Sequence, residues 1–155
     1  MRLKLLAAGT RMPGWVSNGF ADYSGRMPRE CRLELVEIPL GKRTRTSDPA
    51  RARADEGRRM MSGSEGCMRI CLDVKGHMPD TPGLARRLET WMADGRDAAL
   101  MIGGPDGLEP ACLAAADWRW SLSPLTLPHG LVRVLVAEQL YRAWSILAGH
   151  PYHRD

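Results

Sequence analysis

The sequence predicts one α/β domain with a mainly parallel sheet and helices on both faces. Three observations lead there. Strand and helix patterns alternate along the chain, residues 98–102 form a continuous apolar run fit for burial on both faces, and 155 residues make one domain rather than two. No repeat, linker or low-complexity stretch divides the chain, so residues 1–155 are read as a single unit.

Residues 2–7 and 32–38 alternate apolar with polar side chains (Leu33, Leu35, then Val36 and Ile38), which predicts strands. Between them Trp15, Val16, Gly19, Phe20 and Tyr23 recur at helical spacing after Pro13-Gly14. Ser47-Asp48-Pro49 is a helix start, a capping side chain followed by proline in the first turn, and it leads through an arginine-rich segment to Met60-Met61. Residues 68–74 predict a third strand. Thr81-Pro82 opens the next helix, Leu84, Leu88, Trp91 and Met92 give it an apolar stripe, and Asp94-Gly95 ends it. The run Ala98-Ala99-Leu100-Met101-Ile102 is the central strand and stops at Gly103-Gly104-Pro105-Asp106-Gly107. A short helix over residues 110–116, a brief strand at 120–122 and a long helix over 131–147 complete the order.

With 44% hydrophobic and 26% charged residues the composition is that of a soluble globular protein, and no run of about eighteen apolar residues exists to span a bilayer. The apolar start breaks off at Ala8-Gly9-Thr10, too early for a signal-peptide core, which predicts a cytoplasmic protein. Of four cysteines only Cys67 and Cys71 lie close in sequence, and on a strand they stand about 13 Å apart, too far to share a zinc ion. The cysteines are therefore read as reduced, mostly buried thiols, and no metal is expected.

The net charge of +4 is local. Residues 42–59 carry seven basic side chains (Lys42, Arg43, Arg45, Arg51, Arg53, Arg58, Arg59) against Asp48, Asp55 and Glu56, a surplus that equals the net charge of the whole chain. Such a surface binds a phosphate backbone through counterion release; a solvated helix face with a basic loop explains it as well.

In parallel α/β sheets ligands bind beyond the strand C-termini. The glycine turn after Ile102, the strand end at Leu72-Asp73 and the segment after Leu122 are the positions able to converge there. The turn is neither a GxGxxG fingerprint nor a Walker loop, and taken alone is equally a simple strand-to-helix connection. In Ser121-Leu122-Ser123-Pro124-Leu125-Thr126-Leu127-Pro128-His129, leucines interleave with hydroxyl residues and prolines. That suits a flat heteroaromatic ring such as adenine held by leucines and read by main-chain groups, or a loop that only caps the core. The last helix is apolar nearly all round, which points to a partner surface, most simply a twofold dimer. Its Arg133, Glu138 and Arg142 must pair or serve a site. The terminus His150-Pro151-Tyr152-His153-Arg154-Asp155 gathers two histidines, a tyrosine and an arginine.

Taken together, Leu100 through Gly107, Trp120 through Ser123, Leu125 through His129, Leu131 to Val134, Glu138 to Trp144 and His150 to Arg154 resemble the RlmH family, the SPOUT-superfamily pseudouridine N3-methyltransferases of the large ribosomal subunit. The likeness runs the length of the chain, from Ala8-Gly9-Thr10-Arg11-Met12-Pro13 onward, and is faintest over residues 24–30 and 50–66; the family more often has glutamate where Asp106 stands. The resemblance implies a C-terminal trefoil knot, an exception to the rule against threaded chains. It implies S-adenosylmethionine (SAM) as methyl donor, held at Leu72, Gly103, Gly104, Leu122, Ser123, Pro124, Leu125, Thr126, Leu127 and Pro128. The partners it implies are a second copy of the chain and 23S rRNA within the ribosome, the target being a pseudouridine of the intersubunit helix.

For this transfer the enzyme must align methyl carbon and N3 and remove the N3 proton. Arg142 and Arg154 are the candidates for substrate charge, His129 or His153 for the proton acceptor or an orienting group, and Tyr152 for stacking on the flipped base. Two rivals compete. A non-enzymatic ribosome-binding protein needs the basic segment but no SAM pocket, and a doubly wound oxidoreductase needs a GxGxxG turn that is absent.

Overall fold

Five strands, β1 (Arg2–Ala8), β2 (Arg32–Ile38), β3 (Met68–His77), β4 (Ala98–Ile102) and β5 (Trp118–Trp120), pair in parallel in the order β2-β1-β4-β3-β5. The structure, a computed structural model, describes residues 1–154. Among the described residues five α-helices accompany the strands: α1 (Gly14–Arg26), α2 (Pro49–Gly63), α3 (Thr81–Asp94), α4 (Pro110–Ala114) and α5 (His129–Leu147).

The period-two pattern of the strands sorts their side chains between two cores. Leu3, Leu5 and Ala7 of β1 and Ala98, Leu100 and Ile102 of β4 face Phe20 of α1, Leu84, Leu88 and Trp91 of α3, and Val136 and Leu140 of α5. Leu6 and Ala8, with Ala99 and Met101, face Met60 of α2 and Cys112 of α4. Helices thus cover both faces, and every side chain of β4 is buried, as a central parallel strand requires. Among the described residues no helix is long and apolar enough to cross a membrane.

Local signals fix the helix ends. The Asp48 carboxylate accepts from Ala50 N at 3.0 Å ahead of Pro49, Asp80 accepts from Gly83 N at 2.8 Å, and Gly95 closes α3 in the left-handed region at φ 82°.

β1 runs one residue longer and α4 two residues shorter than the sequence expectation, and three further boundaries differ. The last strand is Trp118–Trp120, not 120–122, because the Asp117 carboxylate accepts from Arg69 N (2.8 Å) and sets Trp118 opposite Ile70; Ser121 N then bonds to His77 O and ends the ladder. β3 runs on to His77, with a register shift between Leu72 and His77. α5 starts at His129 rather than Leu131, because Pro128 at φ −64° leads directly into it. All four cysteines are free and buried, and burial pushes the Cys71 thiol up to about 12.

Candidate functional site

A cavity of about 570 Å³ opens beyond the sheet at the strand C-termini. Ala8 at the end of β1, Gly9 and Met12 after it, and Leu40 after β2 form one side. Leu72, Asp73 and Val74, at the register shift of β3, form another. Ile102, Gly103, Gly104, Pro105, Gly107 and Leu108 close the floor, and Trp120, Leu122, Ser123, Leu125, Thr126 and Leu127, with His129 and Val132 of α5, complete the wall.

The glycine turn, the Leu72-Asp73 strand end and the loop after β5 therefore do converge. Eight of the ten candidate cofactor residues line the cavity; Pro124 and Pro128 belong to the same loop without lining it. Sequence reasoning does not find Leu40 or Val132: Leu40 sits between Pro39 and Gly41 in a connection that the strand pattern does not bring to the cavity, and Val132 is one apolar residue among many on α5.

Glycine is required in the turn. A Cβ on Gly103 would stand 2.4 Å from Gly107 C and 2.6 Å from Leu108 N, and Gly107 has φ +77° while its N–H donates to Gly104 O at 3.0 Å. The turn is also tied down from outside. Arg43 bridges the buried Glu56 carboxylate (Nη1 to Oε2, 2.6 Å) and Asp106 (3.0 Å). In the opposite wall Ser123 Oγ accepts from Leu125 N at 3.0 Å, and Ser121 Oγ donates to Ser123 O at 3.1 Å.

His129 and Arg133 join these walls. Arg133, only 1% exposed, donates from Nη1 to Glu37 (2.9 Å), from Nη2 to Gly9 O (2.8 Å) and from Nε to His129 Nε2 (3.0 Å). A guanidinium has donors only, so His129 Nε2 accepts, and its Nδ1–H is the donor to Gly103 O at 2.9 Å. Burial pushes the imidazole below its ordinary 6.5; the bond to Gly103 opposes this and the Arg133 cation assists it. His129 is thus a neutral strut with both ring nitrogens engaged inside the protein.

The other four candidate catalytic residues lie elsewhere. Glu138 Oε1 accepts from Arg142 Nε (2.9 Å), Arg142 Nη2 (2.6 Å) and the Tyr152 hydroxyl (3.0 Å). Arg142 donates from Nη1 to His153 Nδ1 at 3.1 Å and lies over the Tyr152 ring, 4.9 Å from its centroid. Burial, then the bonds to Tyr23 and Glu138, hold the Tyr152 hydroxyl far above the usual phenol range. Arg154 is exposed just beyond this cluster. Arg142 and His129 sit thirteen positions apart on α5, about 20 Å along its axis, so the structure joins Arg142, Tyr152 and His153 but separates them from His129 and the cavity. Glu138, the hub of the cluster, appears in the sequence only as a charge in an apolar helix.

The basic segment is less free than its composition implies. Arg43 is held by Glu56 and Asp106, Arg53 by Glu109 at 3.0 Å, Arg58 by Asp55, and Arg59 by Pro39 O at 3.1 Å. Lys42, Arg45 and Arg51 remain exposed outside these ion pairs.

Comparison with known proteins agrees with this geometry. Residues 1–153 match the family described as "Predicted SPOUT methyltransferase". A relative from Alkalilimnicola ehrlichii, named ribosomal RNA large subunit methyltransferase H, is 59% identical over 154 residues, covering 99% of each chain. Among solved structures, the tRNA (m1G37) methyltransferase from Aquifex aeolicus aligns with TM-score 0.56 at 12% identity, over 100% of this chain and 75% of that one. A probable methylase family protein from Haemophilus influenzae aligns with TM-score 0.55, also at 12% identity, over 96% and 66%. The parallel sheet, the cavity beyond its strand ends and the full-length match carry one conclusion: the chain belongs to the SPOUT methyltransferases, in the family of ribosomal RNA large subunit methyltransferase H.

Proposed function

We propose that this protein is a cytoplasmic, homodimeric rRNA methyltransferase that transfers a methyl group from SAM to N3 of a pseudouridine in the intersubunit helix of 23S rRNA, on assembled ribosomes. The observation that carries the proposal is the cavity at the strand C-termini, built from the glycine turn and the leucine-proline loop. The name of the 59% identical relative supports the rRNA target, and the family supports a trefoil knot around the cavity.

The cavity's size lies within the range of small-molecule sites, and its apolar loop side chains beside exposed turns fit an adenosyl group. Leu122, Leu125 and Leu127 would hold the adenine, with main-chain groups of the loop and of the turn reading its edges. Bound there, SAM supplies a methyl carbon made electrophilic by its sulfonium. The chain's own residues do the rest. Arg142 and Arg154 stabilise the imide anion that forms as N3 loses its proton, His153 accepts that proton at Nδ1 as Arg142 turns from it to the anion, and Tyr152 stacks on the extruded base. His129, with both nitrogens engaged, orients the cavity wall instead of moving a proton.

The distance of about 20 Å along α5 between cavity and tail cluster favours a shared site, the tail of one protomer serving the cavity of its partner. On α5 the half-buried Leu131, Val134 and Leu135 and the exposed Leu147, with Trp15 of α1 at 58% exposure, supply apolar surface for a twofold contact. Calorimetry with SAM tests the reading: one site per chain is expected, and no binding leaves only a ribosome-binding protein.

A further inference from the structure

A second depression, about 500 Å³, lies along α3 where the end of β3 and the edge strand β5 border it, lined by His77, Met78, Asp80, Arg86, Arg87 and Trp118 among others. Nothing in the proposed reaction uses it. Its donors are conspicuous. Arg86 and Arg87 have no carboxylate partner among the described residues, and Arg87 lies over the Trp118 ring, 4.5 Å from the centroid. Trp118 is 93% buried, and its indole Nε1–H is the buried side-chain polar atom without a hydrogen-bond partner among the described residues. A buried donor left unpaired costs about 1–3 kcal/mol, and native proteins rarely keep one without a reason.

The helix terminus does not supply the site, because Asp80 already caps Gly83 N at 2.8 Å. The side chains supply it. Two guanidiniums, an indole N–H and an imidazole outnumber one carboxylate, so the complementary ligand is anionic and rich in acceptors. Bidentate guanidinium geometry suits phosphate oxygens, and the depression is larger than one phosphate needs.

We infer that His77, Arg86, Arg87 and Trp118 form a docking site for a phosphate of the RNA backbone, on the α3 flank and apart from the SAM cavity. A phosphate that draws Arg87 outward from the indole ring gives Nε1–H its missing acceptor. The inference rests on the RNA-modifying reading only for the identity of the polymer.

The test uses the full-length protein with indole nitrogens labelled by 15N, the Trp118 signal being assigned through Trp118→Phe. A stem-loop RNA should move the Trp118 indole resonance saturably, and Arg86→Gln with Arg87→Gln should abolish that shift while leaving SAM affinity unchanged. The slope of log K against log salt should become shallower by about 1 for each arginine removed. An indole resonance that ignores RNA, a shift that survives both substitutions, or a response to inorganic phosphate alone would each overturn the site. Ribosome methylation measured on the same wild-type sample separates the two readings: methylated ribosomes with a silent indole would remove this docking site and leave the enzyme standing.

Discussion

Arg133 Nε donates to His129 Nε2 at 3.0 Å, and through that bond a buried cation fixes which nitrogen of this cavity-wall histidine carries the proton. With Nε2 committed as acceptor, Nδ1–H must be the donor to Gly103 O. One guanidinium thereby links the end of β1 at Gly9, the β2 residue Glu37 and the glycine turn after β4.

Removing that link should weaken both fold and cofactor binding. Arg133→Met leaves the Gly9 carbonyl and His129 Nε2 without their buried donor. Urea unfolding should show a loss of about 2–4 kcal/mol, and SAM affinity measured by calorimetry should fall about tenfold. Unchanged affinity in a folded variant would separate the network from the cavity.

The same histidine makes stability depend on pH. Its folded pKa lies below its ordinary 6.5, so the unfolded chain takes up a proton that the folded imidazole refuses. The contribution is complete above pH 6.5 and is lost as pH falls from there through the depressed folded value. Thermal midpoints should therefore decline on acidification through this window, and less steeply in His129→Gln, whose amide can both donate and accept.

At the turn, Gly103→Ala forces a Cβ to within 2.4 Å of Gly107 C, backbone that cannot step aside cheaply. About 1–3 kcal/mol of stability and about tenfold or more of SAM affinity should be lost. Gly104→Ala meets its nearest neighbours, the Leu40 and Glu56 side chains, only at 3.0 and 3.1 Å and should cost less on both counts.

In the tail cluster, Glu138→Gln removes the charge that gathers Arg142 and Tyr152. Methyl transfer should slow by about a hundredfold through misplacement of those groups, with SAM affinity intact. Equal loss of SAM binding would place the cluster at the cavity of its own chain.

A shared site predicts complementation. Subunits with Gly103→Ala, assayed at SAM too dilute to fill the altered cavity, and subunits lacking residues 150–155 should recover about a quarter of wild-type activity when mixed and re-associated, since about half of the dimers are mixed and one of the two sites in each of these is intact. No recovery would confine the site to one chain.

Much of this was legible in the sequence, because it rests on local signals. Strand periodicity, Asp48 and Asp80 as caps and the apolar run of β4 gave the layers, and glycine and proline clusters marked two walls of the cavity. What escaped depends on contacts between distant segments. Trp118 is a strand residue because Asp117 meets Arg69, 48 positions away. Arg133 and Glu138 read alike as charges in an apolar helix, yet one buttresses the cavity and the other assembles the tail. The basic segment read as a free surface, whereas Arg43, Arg53, Arg58 and Arg59 are held internally.

Mass spectrometry of rRNA fragments, after incubation of pseudouridylated ribosomes with SAM and this protein, tests the central claim most directly. One added methyl group on a pseudouridine of the 23S intersubunit helix, absent when free rRNA replaces ribosomes, is the predicted result. Unmethylated ribosomes, or a methyl group on an unmodified uridine or elsewhere in the RNA, would contradict it.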